Sequence, residues 1–278
     1  MRSLVYRILI FFFLLQPLSV LADILVLVHG YGANAASWAI SGVNASLLNA
    51  GWQYGAIPST QETGKQAPVN RFYAVELPAT APLMAQTNHL QAILQNIRQQ
   101  HPDESLILTG HSAGGVVARL AVLGGNLANV SKLITIASPH LGTQRAIQSL
   151  EAVDDKPFFC PGPGVSMLKS MFGSSNYQYL RHSRGVLIDL LPPASGSLLD
   201  WANHQPHPDI EYHAVIKQPG MAPGDEMVPA YSQDMNQIPA LRGKVSIWQT
   251  TTGHMLGPND GVLLVAILNG ANLNTEMN

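Results

Sequence analysis

The sequence predicts an α/β domain: a mostly parallel, doubly wound sheet with helices on both faces and an inserted cap or lid lobe. Three observations predict it. Ile24 to Val28 is an uninterrupted apolar run, the signature of a strand covered on both faces. Strand-like and helix-like segments then alternate along most of the chain. Finally, Leu106 to Leu120 reads LILTGHSAGGVVARL: strand-like residues, glycines grouped around one serine, then a helical run. Sheets of this kind carry their chemistry at the C-terminal ends of the strands.

The chain of 278 residues suits one domain with an insertion. Its first 22 residues place Arg2 and Arg7 ahead of an apolar stretch that ends in Val20-Leu21-Ala22, the pattern of a signal peptide. Gln16-Pro17 interrupts that stretch and a core strand follows at once, which fits an uncleaved anchor less well. The expected product is an exported domain of residues 23–278, periplasmic or secreted. A lone Cys160 allows no internal disulfide and no cysteine zinc site, which favours a bacterial envelope or medium. Loss of the two arginines takes the formal charge from −2 to −4, so nucleic acid is not an expected partner. Charged residues make up 12% and apolar ones 46%, which excludes a disordered chain and leaves room for transient contact with a membrane or lipid interface.

The elements follow in order. The first strand ends in HGYG, and residues 35 to 49 look helical, with Trp38, Leu47 and Leu48 as candidate core contacts. Residues 71 to 76 are strand-like. Leu90, Ile93, Leu94 and Ile97 then sit at helical spacing until Pro102 stops the helix. The Ser105 strand leads into a helix whose apolar face is Val116, Val117, Leu120, Ala121 and Leu123. Lys132 to Ala137, 211 to 217 and 244 to 250 read as further strands, and a last helix runs from about Asp260 to Leu268. Between them, about 142–208 is rich in Pro, Gly and Ser. We read it as the cap, with Met167, Leu168, Met171 and Phe172 as an apolar stripe for packing or for lipid contact.

The chemistry starts at Gly110-His111-Ser112-Ala113-Gly114. A sharp strand-to-helix turn forces the serine into a strained conformation, and a Cβ at Gly110 or Gly114 would collide with passing backbone. The turn lifts Ser112 Oγ clear and sets the Ala113 N–H at a helix N-terminus, where an oxyanion would develop. A serine is a poor nucleophile at neutral pH, so a base must touch it and an acid must orient the base. Of ten histidines, His254 in TTGHMLGP lies in a Gly-rich loop immediately after the last strand. The acid belongs after the preceding strand, where PGDEMVP offers Asp225; Glu226 is its direct rival and Asp234 a third candidate.

The elbow GHSAGG, the early HGYG, the SPHLGT segment at 138–143 and the order Ser112, Asp225, His254 resemble the α/β-hydrolase superfamily, in particular its secreted lipase and esterase branch. The resemblance implies that Tyr31 supplies the second oxyanion N–H. It implies a substrate pocket, for which His29, His111, His140, Met167, Met171 and Phe172 are candidates, with His29 more a support of its loop than a base. It implies no cofactor, and a calcium site has no carboxylate cluster beyond Asp154-Asp155. The expected activity is hydrolysis of carboxylic esters, with small-molecule or lipid esters as substrates. An amidase, a thioesterase or an acyltransferase would use the same residues. A noncatalytic lipid-binding protein on the same fold is the alternative of another class.

Overall fold

The structure, a computed structural model, describes residues 22–55, 69–125, 129–154, 179 and 182–271. The signal-peptide reading and the stripe Met167, Leu168, Met171 and Phe172 fall outside the described residues.

Seven parallel strands form one sheet: β1 (Asp23–Val28), β2 (Gln53–Tyr54), β3 (Arg71–Val75), β4 (Ser105–His111), β5 (Val130–Ile136), β6 (Glu211–Lys217) and β7 (Val245–Thr250). Their order is β2-β3-β1-β4-β5-β6-β7. From β1 the chain goes to the edge at β2 and returns through β3 on one side, then crosses to β4 and runs outward to β7 on the other. The carboxyl ends of β1 and β4 therefore flank the point where the winding reverses, the place where such sheets open a crevice. Register puts Val28 beside Gly110 and His111 beside Ile136, so HGYG, the elbow and the turn after β5 meet there.

β1 is apolar throughout because both its faces are covered. Ile24, Val26 and Val28 join one core with α3 (Leu83–Gln100) and α4 (Ala113–Leu123), while Leu25 and Leu27 join the other with Trp38, Leu47, Leu264 and Ile267. The second core is closed by α2 (Val43–Asn49) packing on α9 (Pro258–Leu268). The helix expected over 35–49 is two: α1 (Ser37–Ile40) and α2, separated at Gly42. Gly42 has φ +85°, a left-handed conformation that ends one helix and opens the next. Leu47 takes the inward position on α2, and Leu48, expected in the core, is half exposed.

Among the described residues of 142–208 lie the helices α5 (Gln144–Asp154), α6 (Arg184–Asp189) and α7 (Leu198–His204). They are part of the main body where described: Val186, Leu190, Leu199 and Ala202 are buried in the larger core. Beyond β6 comes the short α8 (Ala230–Gln233). Among the described residues no helix is long and apolar enough to cross a membrane.

Candidate active site

Ser112 sits at the apex between β4 and α4 with φ +53° and ψ −130°, a conformation that costs a non-glycine residue on the order of 1–3 kcal/mol. The neighbouring glycines explain how the chain tolerates it. A Cβ at Gly110 would strike the backbone of Gly114 and Gly115, and one at Gly114 would strike the carbonyls of Val28 and His29. Gly115, not singled out by the motif, lies against Ser138. A Cβ on Gly30 would come within 2.8 Å of Ser112 Cβ, so the HGYG turn presses directly on the elbow.

Ser112 Oγ is 2.9 Å from His254 Nε2, and His254 Nδ1 is 2.8 Å from Asp225 Oδ2. A carboxylate only accepts, so Nδ1–H donates to Asp225 and Nε2 is left to accept the Ser112 hydroxyl proton. The Asp225 side chain is fully buried, and its other oxygen accepts the N–H groups of Met227 (2.7 Å) and Val228 (2.6 Å). That fixes the carboxylate plane without help from solvent. Glu226 serves the loop instead of the ring, since its Oε1 accepts the backbone N–H of His254 at 3.0 Å. Asp234 caps the turn that follows it by accepting from Asn236 N–H. Of the three acids in view, the structure brings only Asp225 to the imidazole.

The loop carrying His254 is held at each step. His111 Nε2 lies 2.9 Å from the His254 carbonyl and must donate to it, which leaves Nδ1 unprotonated. Burial, and next the neighbouring His254, hold the His111 pKa well below the usual histidine value, so this ring is neutral. Lys217 Nζ donates to Met255 O, and Asp260 Oδ2 accepts from Gly257 N–H. Gln233 ties the acid to the sheet: its Oε1 accepts from Lys217 N–H at 2.8 Å, and its Nε2 is 2.8 Å from Val228 O and 3.3 Å from Asp225 Oδ2. Neither Gln233 nor Lys217 carries a signal in the sequence, because their partners are fixed only by the fold.

Ala113 is the first residue of α4, so its N–H has no acceptor within the helix. A cleft of about 160 Å³ opens beside Ser112 and His254, bounded by Tyr31, His111, Pro139, Ala146, Leu187, Leu190 and Val228, with Met255 at the edge. Two of the expected pocket residues stand elsewhere. His29 is buried beneath its loop, donating through Nδ1 to Gly30 O and accepting through Nε2 from Leu77 N–H. His140 is fully buried outside the cleft lining and its backbone N–H donates to Ser232 O, whereas Pro139 lines the cleft. Met167, Met171 and Phe172 lie outside the described residues. Among the described residues no group of three or more His, Cys, Asp and Glu could hold a metal ion.

A strained serine at the winding reversal of a parallel sheet, with a histidine and a buried aspartate delivered by later strands, is the arrangement of the α/β-hydrolase fold. The chain has that fold, which similar solved structures share. Residues 26–153, from β1 through α5, match the PGAP1-like alpha/beta domain family. The mature form of Bacillus licheniformis lipase BlEst2 is similar in structure, with a TM-score of 0.61 at 15% identity, covering 90% of this chain and 91% of that one. The lin2722 gene product of Listeria innocua gives 0.56 at 16% identity over 91% and 96%. A lipase-esterase related protein from Clostridium acetobutylicum gives 0.55 at 14% identity over 91% and 96%. No curated protein sequence matches the chain.

Proposed function

We propose that the protein is an exported serine hydrolase that cleaves carboxylic esters with hydrophobic acyl groups. The observation that carries this reading is the continuous row Ser112–His254–Asp225, with Oγ 2.9 Å from Nε2 and Nδ1 2.8 Å from Oδ2. Ser112 Oγ attacks the ester carbonyl while its proton passes to His254 Nε2, and the oxyanion is met by the N–H groups of Ala113 and Tyr31. Collapse of the tetrahedral intermediate breaks the C–O bond, and the imidazolium returns the proton to the departing alcohol. A water molecule, deprotonated by His254, then releases the acid and restores the serine. Asp225 stays ionised and keeps the imidazole in the correct tautomer.

The apolar character of the cleft supports hydrophobic acyl groups, as do the structural neighbours described as lipases or lipase-related. Contact with lipid interfaces belongs to the same proposal. Met221 follows β6 and Met255 follows β7, so both stand at the catalytic edge, and both side chains are exposed there. Residues 1–22 support export by their sequence pattern.

The test is labelling with a fluorophosphonate, followed by turnover of p-nitrophenyl esters. Stoichiometric labelling at Ser112, lost in Ser112→Ala, is expected. A folded wild-type protein that neither labels nor hydrolyses any ester in the series would leave the lipid-binding alternative.

A further inference from the structure

Seven residues beyond Ser112, in the middle of the buried helix α4, stands Arg119 with none of its surface exposed. A guanidinium does not give up its proton within the working range of a protein, so this is a cation inside the core. Among the described residues its one hydrogen-bond partner is neutral: Nη2 donates to Asn203 Oδ1 at 2.7 Å, while Nε and Nη1 are buried with no acceptor. No carboxylate among them reaches it. Burial pushes its pKa down to about 9, which still leaves it charged at neutral pH.

The surroundings repeat the shortage. Asn203 Nδ2 donates to His140 O at 3.3 Å, which links the arginine to the turn after β5. His140 is itself fully buried, and neither ring nitrogen has a partner among the described residues, although one of them must carry a hydrogen. His207 adds a third unpartnered ring nitrogen, Nε2, on a ring set edge-on to Tyr212 at 6.3 Å. Tyr212 cannot supply charge, since its hydroxyl donates to Pro208 O. The cluster offers several buried N–H groups, one full positive charge and, among the described residues, no protein anion.

A buried charge without a counter-charge is among the most expensive features a core can hold. Water would satisfy the N–H groups but leave the charge. We propose that Arg119, with a ring N–H of His140, binds a monovalent anion the size of chloride. The ion would couple α4 to α7 through Asn203 and to the turn at His140, behind the elbow rather than in the cleft. Its role is structural, and it does not depend on the serine-hydrolase reading.

The test uses the full chain as purified. Thermal unfolding is followed while sodium chloride replaces sodium gluconate at constant ionic strength, and crystals grown without halide are soaked in sodium bromide. The expected results are a saturable rise in Tm of about a few degrees and a bromide anomalous peak within hydrogen-bonding distance of Arg119. Arg119→Met should remove both. If that variant does not fold, His140→Leu serves: it deletes one donor and should raise the chloride concentration for half the rise by about tenfold. A Tm indifferent to chloride overturns the proposal. So does bromide confined to the surface with only water at Arg119, the signature of an adventitious ion only, or an unchanged chloride response in both variants.

Discussion

Lys217 Nζ lies 2.8 Å from Asp260 Oδ2 and 2.8 Å from Met255 O, and both side chains of this ion pair are buried. The pair spans the end of β6 and the first turn of α9, and the loop bearing His254 hangs between them. Asp260 also caps α9 through Gly257 N–H, so one carboxylate closes the helix and neutralises the lysine.

Removing one charge of such a pair should be severe. Lys217→Met leaves a buried carboxylate unpaired and should cost about 3–5 kcal/mol, read as a lower urea midpoint. Lys217→Met with Asp260→Asn should regain most of that stability, because no unpaired charge remains. Met255 O still lacks its donor, so kcat of the double variant should stay at least about tenfold low with little change in KM. Full recovery of both would show that the lysine does not position the histidine loop.

Substitutions along the row should rank in a fixed order. Ser112→Ala and His254→Ala should each lose about 10⁶ in kcat, since they act as one unit. Asp225→Asn should lose about 10⁴, because an amide in place of the carboxylate stabilises the wrong imidazole tautomer. Glu226→Gln should cost less than about tenfold, since an amide oxygen can still accept the His254 N–H at 3.0 Å. If Glu226→Gln proves the more damaging of the last two, Glu226 and not Asp225 is the acid.

This row was largely legible in the sequence, and the reasons are local. Gly110 and Gly114 announce a turn that no other residue could make, and His254 and Asp225 each stand in a Gly-containing loop after a strand-like segment. Its supports were not legible. His111 reaches across 143 positions to His254 O, Gln233 across 16 to Lys217, and Arg119 across 84 to Asn203. A polar residue in an apolar stretch reads as exposed until a partner from a distant element buries it. Arg119 hid in this way within a helix buried on nearly every side. The assignment of His29 and His140 to the pocket failed similarly, because proximity to a strand end does not say which way a ring turns.

The elbow glycines should tolerate nothing larger. Gly114→Ala sets a Cβ against backbone carbonyls that cannot move without shifting β1, so soluble folded protein should largely disappear. Gly257→Ala is the control: its site is open and its φ of −146° is ordinary, so Tm should change by no more than about 2 °C. Circular dichroism melts of both variants decide the matter, and a Gly114→Ala protein as stable as wild type would mean that the turn has room for a methyl group.

Stability should rise with pH on the acidic side of neutrality. Burial first, then Arg119 and Lys244, push the His207 pKa down to about 4, although its Nδ1 donates to Gln205 O, which opposes the shift. In the unfolded chain histidine titrates near about 6.5, so between these values the unfolded state binds a proton that the folded state refuses. His111 and His140, lowered mainly by burial, act in the same direction. The urea midpoint should therefore climb from about pH 4 to about pH 6.5 and then level off with respect to these groups. His207→Gln should make the climb shallower. A midpoint that falls over that interval, or the same slope in the variant, would contradict the role given to His207.

The cleft makes a claim about substrate length. Ala146, on α5, and Leu187 and Leu190, at α6, line the cleft near Ser112, and Ala146 is the smallest of them and almost fully buried. Each methylene that enters such an apolar slot contributes up to about 0.8 kcal/mol, close to fourfold in kcat/KM if fully realised in the transition state. Over p-nitrophenyl esters, kcat/KM should accordingly rise from acetyl toward medium chains, at least from about two to about eight carbons. Ala146→Phe would fill the slot with its ring. It should depress the longer esters by about tenfold or more while leaving acetate within about threefold, because the acetyl group does not extend to α5. Should acetate be the best substrate of the wild type, or should Ala146→Phe lower all esters equally, the cleft between α5 and α6 is not the acyl site, and the chain is a short-chain esterase whose selectivity is set elsewhere.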